Sequence, residues 1–485
     1  MNFSSMKIQM HKCHFLPRLS LIEMMVGCVG FACVFFSCKK ESFIASSSAQ
    51  LSASVDTLKF DTVFTTTGSV TQSFKIFNGN DQKLLLSHVK LAGGASSYFK
   101  LNVDGTSGQE ITDVELLPND SAYVFVQVKI NPNSANLPFI IRDSIAISYN
   151  GNIKYIQLEA FGQNARFYRN LVLRGNSAWA DDLPVVILGG LLVDTTAILT
   201  IRKGTRVYLH PDAPLIVNGT LIVQGTKDEK VIFASDRIDP FYRDLPAGWP
   251  GIYFTGSSRN NKIDFAVIKN AYQGIVSQEG TASGLPKVTL SHTVIDNIYD
   301  VGVFGINSSI EADNCLISNC GKNVSLVLGG NYSFTHCTVV TYGNFFIDHN
   351  FPVVLATNFI EQNNTIYTGD LKANFINCIF WGEGGTIENE IALGKKTNTL
   401  FDVSFQNMVY KNKDGDLSSA TLLGNNFENT NPKFDSINVA KNYYDFRITK
   451  DVNSPALDQG SPTLYLTDLD GKTRTDLPDL GCYEK

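Results

Sequence analysis

The sequence has little charge, with a small acidic excess of 46 Asp and Glu over 40 Lys and Arg. Asp, Glu, Lys and Arg supply 18% of the 485 residues, and the formal net charge is −6 at pH 7. Proteins that bind nucleic acid neutralise phosphates with clustered Lys and Arg. An acidic chain is poorly suited to that task, so we expect no nucleic-acid partner.

Cysteine is scarce where a folded domain would use it. Four of the nine cysteines fall within the first 38 residues. The remaining five lack the CxxC spacing of a zinc site, and an odd number does not close into a disulfide framework. We therefore expect no metal and no cofactor, and we predict that these five are small buried residues: Cys315, Cys320, Cys337, Cys378 and Cys482.

Apolar runs long enough to form a transmembrane helix are missing after residue 37. Before that point, a basic start leads into an apolar run over residues 24–37, whose length is typical of a signal-peptide core. The sequence Phe35-Phe36-Ser37-Cys38 resembles a bacterial lipobox. That resemblance implies a signal peptide over residues 1–37, a lipid on Cys38 and attachment to the outer membrane, on either its periplasmic or its external face. An ordinary signal peptide with an unused cysteine is the alternative.

Two stretches of different pattern follow the predicted lipidation site. Residues 38–54 are rich in Ser and Ala, which predicts a flexible tether behind Cys38. Residues 55–165 alternate polar and apolar positions in short runs, separated by turn signals such as Asn150-Gly-Asn152, which predicts a β-sandwich. The order of runs and turns, ending at Gly162, resembles the immunoglobulin-like modules of the ASPM/SPD2/hydin type. That resemblance implies a spacer or docking surface without catalytic residues.

A phrase that recurs every 22 residues characterises the region 166–435. Its anchor positions include Leu290, Ala312 and Phe334, each inside a short apolar run. A fixed period of this size is typical of stacked units that share one core. We predict an all-β fold with a right-handed parallel β-helix of roughly twelve coils. The pattern resembles the pectin-lyase-like repeat lipoproteins of Bacteroidota.

The last region, residues 436–485, breaks this repeat. The series Asp468-Leu-Asp-Gly-Lys-Thr-Arg474 and Asp479-Leu-Gly-Cys-Tyr-Glu484 resembles the C-terminal segment of secreted bacterial β-helix proteins. The last coil of such a solenoid exposes its core and unpaired strand edges, so we predict that this region is a cap. An envelope-sorting signal is the alternative.

One repeat position carries His or Asn in every copy. Adjacent coils would place such residues about 5 Å apart, close enough to suggest a metal site. However, a coil carrying Asn separates the two histidines, which is too far for them to share one ion. We predict instead an internal ladder that satisfies backbone groups. Its members are His292, Asn314, His336, Asn377 and Asn407.

The loop at residues 236–249 is the strongest candidate binding site, because it interrupts the strand pattern with aromatic and charged residues. Aromatic rings can stack on sugars, and Arg and Asp can bond to hydroxyls or uronate carboxylates. The alternative is a loop whose own ions pair and hold its Trp against the core. The candidate ligand-binding residues are Asp236, Arg237, Asp239, Tyr242, Arg243, Asp244 and Trp249.

No set of residues matches a catalytic mechanism. A lyase needs a base and a cation beside the uronate, and a hydrolase needs two carboxylates facing one groove. Glu383, Glu388 and Glu390, and the pair Asp348-His349, occupy loops between residues 341 and 400 without matching either pattern. We expect a non-catalytic binding or surface-display module for polysaccharide or another surface protein. A polysaccharide lyase or glycoside hydrolase, and a purely structural envelope component, are the alternatives.

Overall fold

β-Strands make up nearly all of the regular structure in the computed structural model. It describes residues 42–65, 69, 71–131, 139–239, 242–281, 284–396, 399–448 and 453–485. The predicted signal peptide and Cys38 lie outside these residues. The helical turns in the described part are two short 3₁₀ helices, Gly94–Ser96 and Val439–Lys441. Within the same residues, no helix has the length and apolar content needed to cross a membrane.

Ten strands build the N-terminal sandwich. They are β1 (Leu51–Ala53), β2 (Thr57–Phe64), β3 (Gln72–Asn78), β4 (Leu84–Leu91), β5 (Phe99–Val103), β6 (Thr106–Gly108), β7 (Glu110–Leu116), β8 (Ser121–Val128), β9 (Phe139–Tyr149) and β10 (Asn152–Gln163). One sheet has the order β1-β3-β8-β5-β6 and the other β2-β10-β9-β4-β7. Neighbouring strands are antiparallel, apart from the parallel pair β2 and β10.

The alternation read from the sequence explains why these strands pair in this way. In β8, Val124 and Val126 are buried, whereas Tyr123 and Phe125 point outward and are exposed. Such a period of two gives each sheet one apolar face, and the two faces meet in a shared core. The predicted β-sandwich is therefore present, and its assignment to the ASPM/SPD2/hydin type stays a prediction.

The chain joins the sandwich earlier than we expected. We predicted a flexible tether up to residue 54, yet Ala49 is buried and β1 pairs with β3. Asn150 also donates a hydrogen bond to the carbonyl of Ile44 at 2.8 Å. Small Ser and Ala residues are equally compatible with an edge strand, because they fit between larger neighbours. From residue 42 onward this stretch is therefore part of the sandwich.

A solenoid follows after two residues. Its strands, together with one short hairpin (β30–β31), are β11 (Arg166–Leu173), β12 (Ser177–Trp179), β13 (Val185–Val193), β14 (Ile198–Arg202), β15 (Arg206–Leu209), β16 (Leu215–Val217), β17 (Thr220–Gln224), β18 (Val231–Ser235), β19 (Ile252–Phe254), β20 (Asn261–Asp264), β21 (Ala266–Lys269), β22 (Gln273–Gln278), β23 (Val288–Ser291), β24 (Val294–Asp296), β25 (Val301–Asp313), β26 (Leu316–Ser318), β27 (Lys322–Thr335), β28 (Thr338–Thr341), β29 (Val354–Thr357), β30 (Phe359–Gln362), β31 (Thr365–Thr368), β32 (Leu371–Gly382), β33 (Ile391–Gly394), β34 (Phe401–Tyr410) and β35 (Thr421–Glu428).

The solenoid has three parallel faces, and the predicted parallel β-helix is confirmed. Face 1 includes β15, β18, β21, β24, β26 and β28, and face 2 includes β16, β19, β22, β29 and β33. Long strands such as β25 and β27 run from face 2 into face 3. We expected roughly twelve coils. Inserted loops lengthen several coils, so face 3 contains ten strands in the described residues: β12, β14, β17, β20, β23, β25, β27, β32, β34 and β35.

The 22-residue phrase sets the register of these coils. Leu290 pairs with Ala312, and Ala312 pairs with Phe334, all three fully buried. The predicted His and Asn ladder follows each of these strands as a one-residue bend, with φ between 47° and 56°, in the left-handed region that Asn tolerates best. We call this edge, where face 3 turns into face 1, the ladder corner.

A second edge, where face 1 turns into face 2, carries the inserted loops. Asn270, Asn297 and Asn319 make the same left-handed bend here, with φ of 62°, 55° and 49°. The loops at residues 236–251, 342–353 and 383–390 all lie between a face 1 strand and a face 2 strand. We call this edge the loop corner.

The C-terminal region lies along the side of the solenoid, whereas we expected it over the end. After β36 (Ser436–Asn438) and β37 (Tyr443–Asp445), residues 453–485 contact the ladder corner from Asn377 to His292 and then return to Asn314. We call residues 453–485 the strap. The physical reason is an apolar patch on the outside of face 1, which the strap and the preceding strands bury: Leu316, Val340, Ile379, Trp381 and Val409.

The last coil is covered differently. Leu417, in the loop between β34 and β35, is buried and belongs to the solenoid core. Leu422 and Leu423 in β35 remain 43% and 47% exposed. The end of the solenoid is therefore closed by its own loop, and its final strand stays open to solvent.

Candidate functional site

The described part of the predicted binding loop is occupied largely by contacts with itself. Arg237 Nε lies 3.2 Å from Asp239 Oδ2, and the guanidinium group stacks 3.7 Å from the centre of the Tyr242 ring. The carbonyl of Asp239 accepts hydrogen bonds from the backbone of Tyr242 and Arg243. These contacts fix the loop but also use the groups that would otherwise reach a ligand.

Two further members of the predicted set face inward. Trp249 is buried in the solenoid core, where its Nε1 donates to the carbonyl of Lys269 at 2.9 Å. Asp236 Oδ2 lies 2.7 Å from His210 Nδ1. Burial raises the pKa of Asp236 above its usual range, although the His210 hydrogen bond opposes the change. Both residues position the loop on the scaffold.

The remaining two predicted residues are accessible. Arg243 and Asp244 pair at 3.3 Å, and their side chains are 57% and 49% exposed. An ion pair this exposed is weak and competes easily with a ligand. Of the seven residues, these two are therefore the best placed to meet a molecule in solution, and their role in binding stays a prediction.

The asparagines of the loop corner join two loops that the sequence shows only as separate interruptions. Asn297 donates to the carbonyl of Asp244 and to Asn270 Oδ1, both at 2.9 Å. Asn344, in the loop 342–353, donates to Asn297 Oδ1 at 3.0 Å. The loop at 236–249 and the loop at 342–353 therefore meet on one edge of the solenoid, although about a hundred residues separate them in the chain.

Exposed aromatic rings run along this edge. Tyr272 and Tyr299 occupy equivalent places on consecutive coils, with ring centres 5.7 Å apart and planes inclined by 27°. They are 46% and 50% exposed, and Phe351 further along the edge is 48% exposed. Since neighbouring coils are about 4.8 Å apart, the three rings extend over about 15 Å parallel to the solenoid axis.

Charged and amide groups flank these rings. Asp300 accepts a hydrogen bond from Gln273 Nε2 at 2.9 Å and pairs with Lys322 at 3.3 Å. The ammonium group of Lys322 lies 4.7 Å from the centre of the Phe351 ring. We call Tyr272, Tyr299, Asp300, Lys322 and Phe351 the aromatic ridge. Apolar faces beside hydrogen-bonding groups are the combination that sugars require.

The sequence contains a signal for this ridge that we did not use. Asn270-Ala271-Tyr272 and Asn297-Ile298-Tyr299 repeat the pattern Asn-x-Tyr after 27 residues. The Asn makes the bend, so the residue two positions later leaves the corner at the same place on each coil. A search for the ladder pattern at both corners would have found the pair.

The one histidine of the loops between residues 341 and 400, His349, pairs with a carboxylate inside the protein. His349 Nε2 lies 3.1 Å from Glu390 Oε2, and the exposed fractions of the two side chains are 1% and 0%. Glu388 pairs with Lys413 on the surface, and Glu383 accepts from Trp381 Nε1 at 3.1 Å. In the described residues, the one His–carboxylate pair of these loops is thus closed to a polymer.

The histidines of the ladder corner lie against ring or polar neighbours, and Nδ1 of His336 is buried without a described hydrogen-bond partner. His292 stacks on Phe265 at 4.2 Å and lies 3.1 Å from Asp264, while His336 lies 3.1 Å from Asn377. No group of three or more His, Cys, Asp or Glu in the described part of the chain is arranged to hold a metal ion. The five cysteines are buried and unbridged, as we predicted.

Comparison with known proteins identifies no family for this chain. No family model and no curated relative matches the chain. A family 123 glycoside hydrolase from Clostridium perfringens is matched over 27% of this chain and 31% of its own length, with 11% identity and a TM-score of 0.19. The catalytic unit of a GH87 α-1,3-glucanase from Streptomyces thermodiastaticus strain HF3-3 is matched over 73% and 88%, with 9% identity and a TM-score of 0.24. This chain thus spans under a third of the first structure, and scores this low assign neither an activity nor a site.

Proposed function

We propose that the protein is a non-catalytic polysaccharide-binding module and that the aromatic ridge is its binding surface. The observation that carries the proposal is the exposed Tyr272–Tyr299 pair on consecutive coils. Exposed aromatic rings in a row are costly to leave in water, and they match the apolar faces of successive sugar rings. The direction of the row, along the rigid solenoid, suits an extended polymer.

Polar groups beside the rings support the choice of a sugar over an apolar ligand. Asp300 and Gln273 supply acceptor and donor groups next to Tyr299, and Arg243 is exposed at the neighbouring loop. Directional hydrogen bonds from such groups discriminate among sugar hydroxyls. The scaffold behind them is close-packed, so little order has to be acquired on binding.

The cellular setting is a separate part of the proposal. We propose that a lipid on Cys38 attaches the protein to the outer membrane, from the lipobox-like sequence alone. The ligand would then be a polysaccharide of the envelope or its surroundings, and another surface protein is the alternative partner. Radiolabelled palmitate incorporation that is lost in Cys38→Ser would support the anchor, and protease treatment of whole cells would identify the exposed face.

A glycan array with the purified protein tests the ridge. We expect binding to at least one polysaccharide class, and about thirtyfold weaker binding for Tyr272→Ala combined with Tyr299→Ala, because each of the two lost stacking contacts contributes about 1 kcal/mol. Tyr367→Ala is the matched control, since Tyr367 is also 50% exposed but lies in the β30–β31 hairpin. Unchanged binding in the double variant would reject the ridge. Absence of any bound glycan, with a protein recovered in pull-downs, would reject the carbohydrate function.

A further inference from the structure

The outer face of the sandwich contains a groove that the solenoid function does not use. It is an open depression of about 1050 Å³ across β5 and β8, next to the β6 edge. This size is at the upper end of the range for ligand sites. We call it the sandwich groove, and its polar and aromatic side chains include Tyr98, Lys100, Asn102, Gln109, Phe125, Gln127, Lys129 and Asn131.

The strand register arranges these side chains in cross-strand pairs. Phe125 lies opposite Asn102, and Gln127 lies opposite Lys100. Lys129 donates its backbone N–H to Tyr98 at 2.9 Å, which places these two side by side at the end of the row. From Phe125 to Lys129 the row extends about 13 Å along the strand. Each step therefore offers an aromatic or charged group beside an amide or hydroxyl.

Charge distinguishes this groove from the rest of the molecule. The chain carries a net charge of −6, yet the described lining contains two lysines and no carboxylate. Lys100 and Lys129 are exposed, and neither forms an ion pair with a described residue. Phe125 and Tyr98, each 39% exposed, contribute apolar surface between them.

The walls of the groove are held in place from outside. Ser97 donates to Asp143 Oδ2 on the opposite sheet at 2.5 Å and accepts from the backbone of Phe99. Asn102 donates to Ser107 at 2.8 Å, which fixes the β5–β6 turn. Because these bonds are internal to the sandwich, they pre-organise the groove and lower the ordering cost of binding.

We propose that the sandwich groove is a second binding site, specific for an acidic glycan. Phe125 would stack on a sugar ring, the amides would bond to hydroxyls, and Lys100 and Lys129 would pair with uronate carboxylates. A purely neutral sugar would leave the two lysines without a role. The site is independent of the aromatic ridge, so either can fail alone.

The test uses full-length purified protein carrying Tyr272→Ala and Tyr299→Ala, so that the ridge does not contribute. We expect calorimetric binding of a hexagalacturonate, at least tenfold weaker binding of neutral cellohexaose, and loss of affinity as salt rises from 50 to 500 mM. Lys100→Ala with Lys129→Ala, and separately Phe125→Ala, should each weaken hexagalacturonate binding at least tenfold.

The matched control is Lys59→Ala with Lys90→Ala, which removes the same charge from exposed positions on the other sheet. It should bind like its parent, and thermal melting should show that all variants are folded. If the control weakens hexagalacturonate binding as much as the groove variants do, the proposal is overturned. Equal affinity for cellohexaose, or no hexagalacturonate binding, would do the same.

Discussion

The two corners of the solenoid use one backbone device in two different ways. At both, an Asn or His in the left-handed region turns the chain within a single residue. At the ladder corner the strap covers these side chains, and Asn314 and His336 are fully buried. At the loop corner Tyr272 and Tyr299 extend beyond the bend into solvent. The bend alone therefore does not decide whether an edge is available for binding. What decides it is whether another segment, here the strap, covers the side chains at the bend.

Arg474 provides the largest expected effect for testing whether the strap stabilises the ladder corner. Its side chain is 3% exposed, and the guanidinium group donates to Asn314 Oδ1 at 2.7 Å and to Glu484 Oε2 at 3.1 Å. Arg474→Met should cost about 3–5 kcal/mol of unfolding free energy, because it leaves a buried carboxylate without its partner. Urea denaturation followed by circular dichroism measures the loss.

Arg142→Met is the matched control for this prediction. Arg142 pairs with Glu159 but is 69% exposed, so its removal should cost less than about 1 kcal/mol. A similar loss in both variants would mean that the strap does not hold the ladder corner through Arg474. Adding Glu484→Gln to Arg474→Met should recover part of the stability, since the unpaired charge is then gone.

Acid should weaken the ladder corner in particular. Burial, with Arg474 nearby, lowers the pKa of His336 from 6.5 to about 2. Below pH 6.5 the His336 imidazole is protonated in the unfolded chain but stays neutral in the folded protein, so stability falls as the pH falls below 6.5. Between pH 8 and pH 5 the loss should be about 2 kcal/mol.

His336→Asn should remove that component. Asn occupies the equivalent position in neighbouring coils, tolerates the left-handed bend and cannot be protonated. Melting temperatures at pH 8 and pH 5 for the wild type, His336→Asn and the surface control His88→Asn measure the effect. If His336→Asn loses as much stability in acid as the control does, His336 is not the responsible group.

The smallest effect on stability is expected at the loop corner. Arg243→Ala breaks a pair whose members are 57% and 49% exposed, and it should change the unfolding free energy by less than about 1 kcal/mol. Glycan affinity, measured on the same preparation, should fall if Arg243 reaches a ligand. A large loss of stability in Arg243→Ala would show that the loop corner stabilises the fold as the ladder corner does.

The sequence predicted the architecture well because the repeat is a local signal. Leu290, Ala312 and Phe334 are spaced by the length of one coil, and the structure pairs them in register. The number of coils was overestimated because loops such as 236–251 lengthen single coils without adding any. The 22-residue spacing gives the number of coils correctly only in stretches without inserted loops.

The course of the strap was beyond prediction from sequence for a physical reason. Arg474 and Asn314 are 160 residues apart, and nothing in either local sequence specifies the contact. The binding loop shows the same limit. Its composition was read correctly, but whether Arg237 would meet Tyr242 or a ligand depends on geometry that composition does not contain.

The strap also determines how the solenoid comes apart. Isolated coils contact only their neighbours, so a solenoid frays from its free end. Here Thr467 lies 3.4 Å from His292, and Cys482 and Ser461 bond to Thr338 and Asn377. One segment thus spans several coils at once. These coils should therefore open cooperatively. Hydrogen exchange should show similar amide protection across all coils that the strap contacts, whereas coils without a strap would show protection that decreases toward the free end.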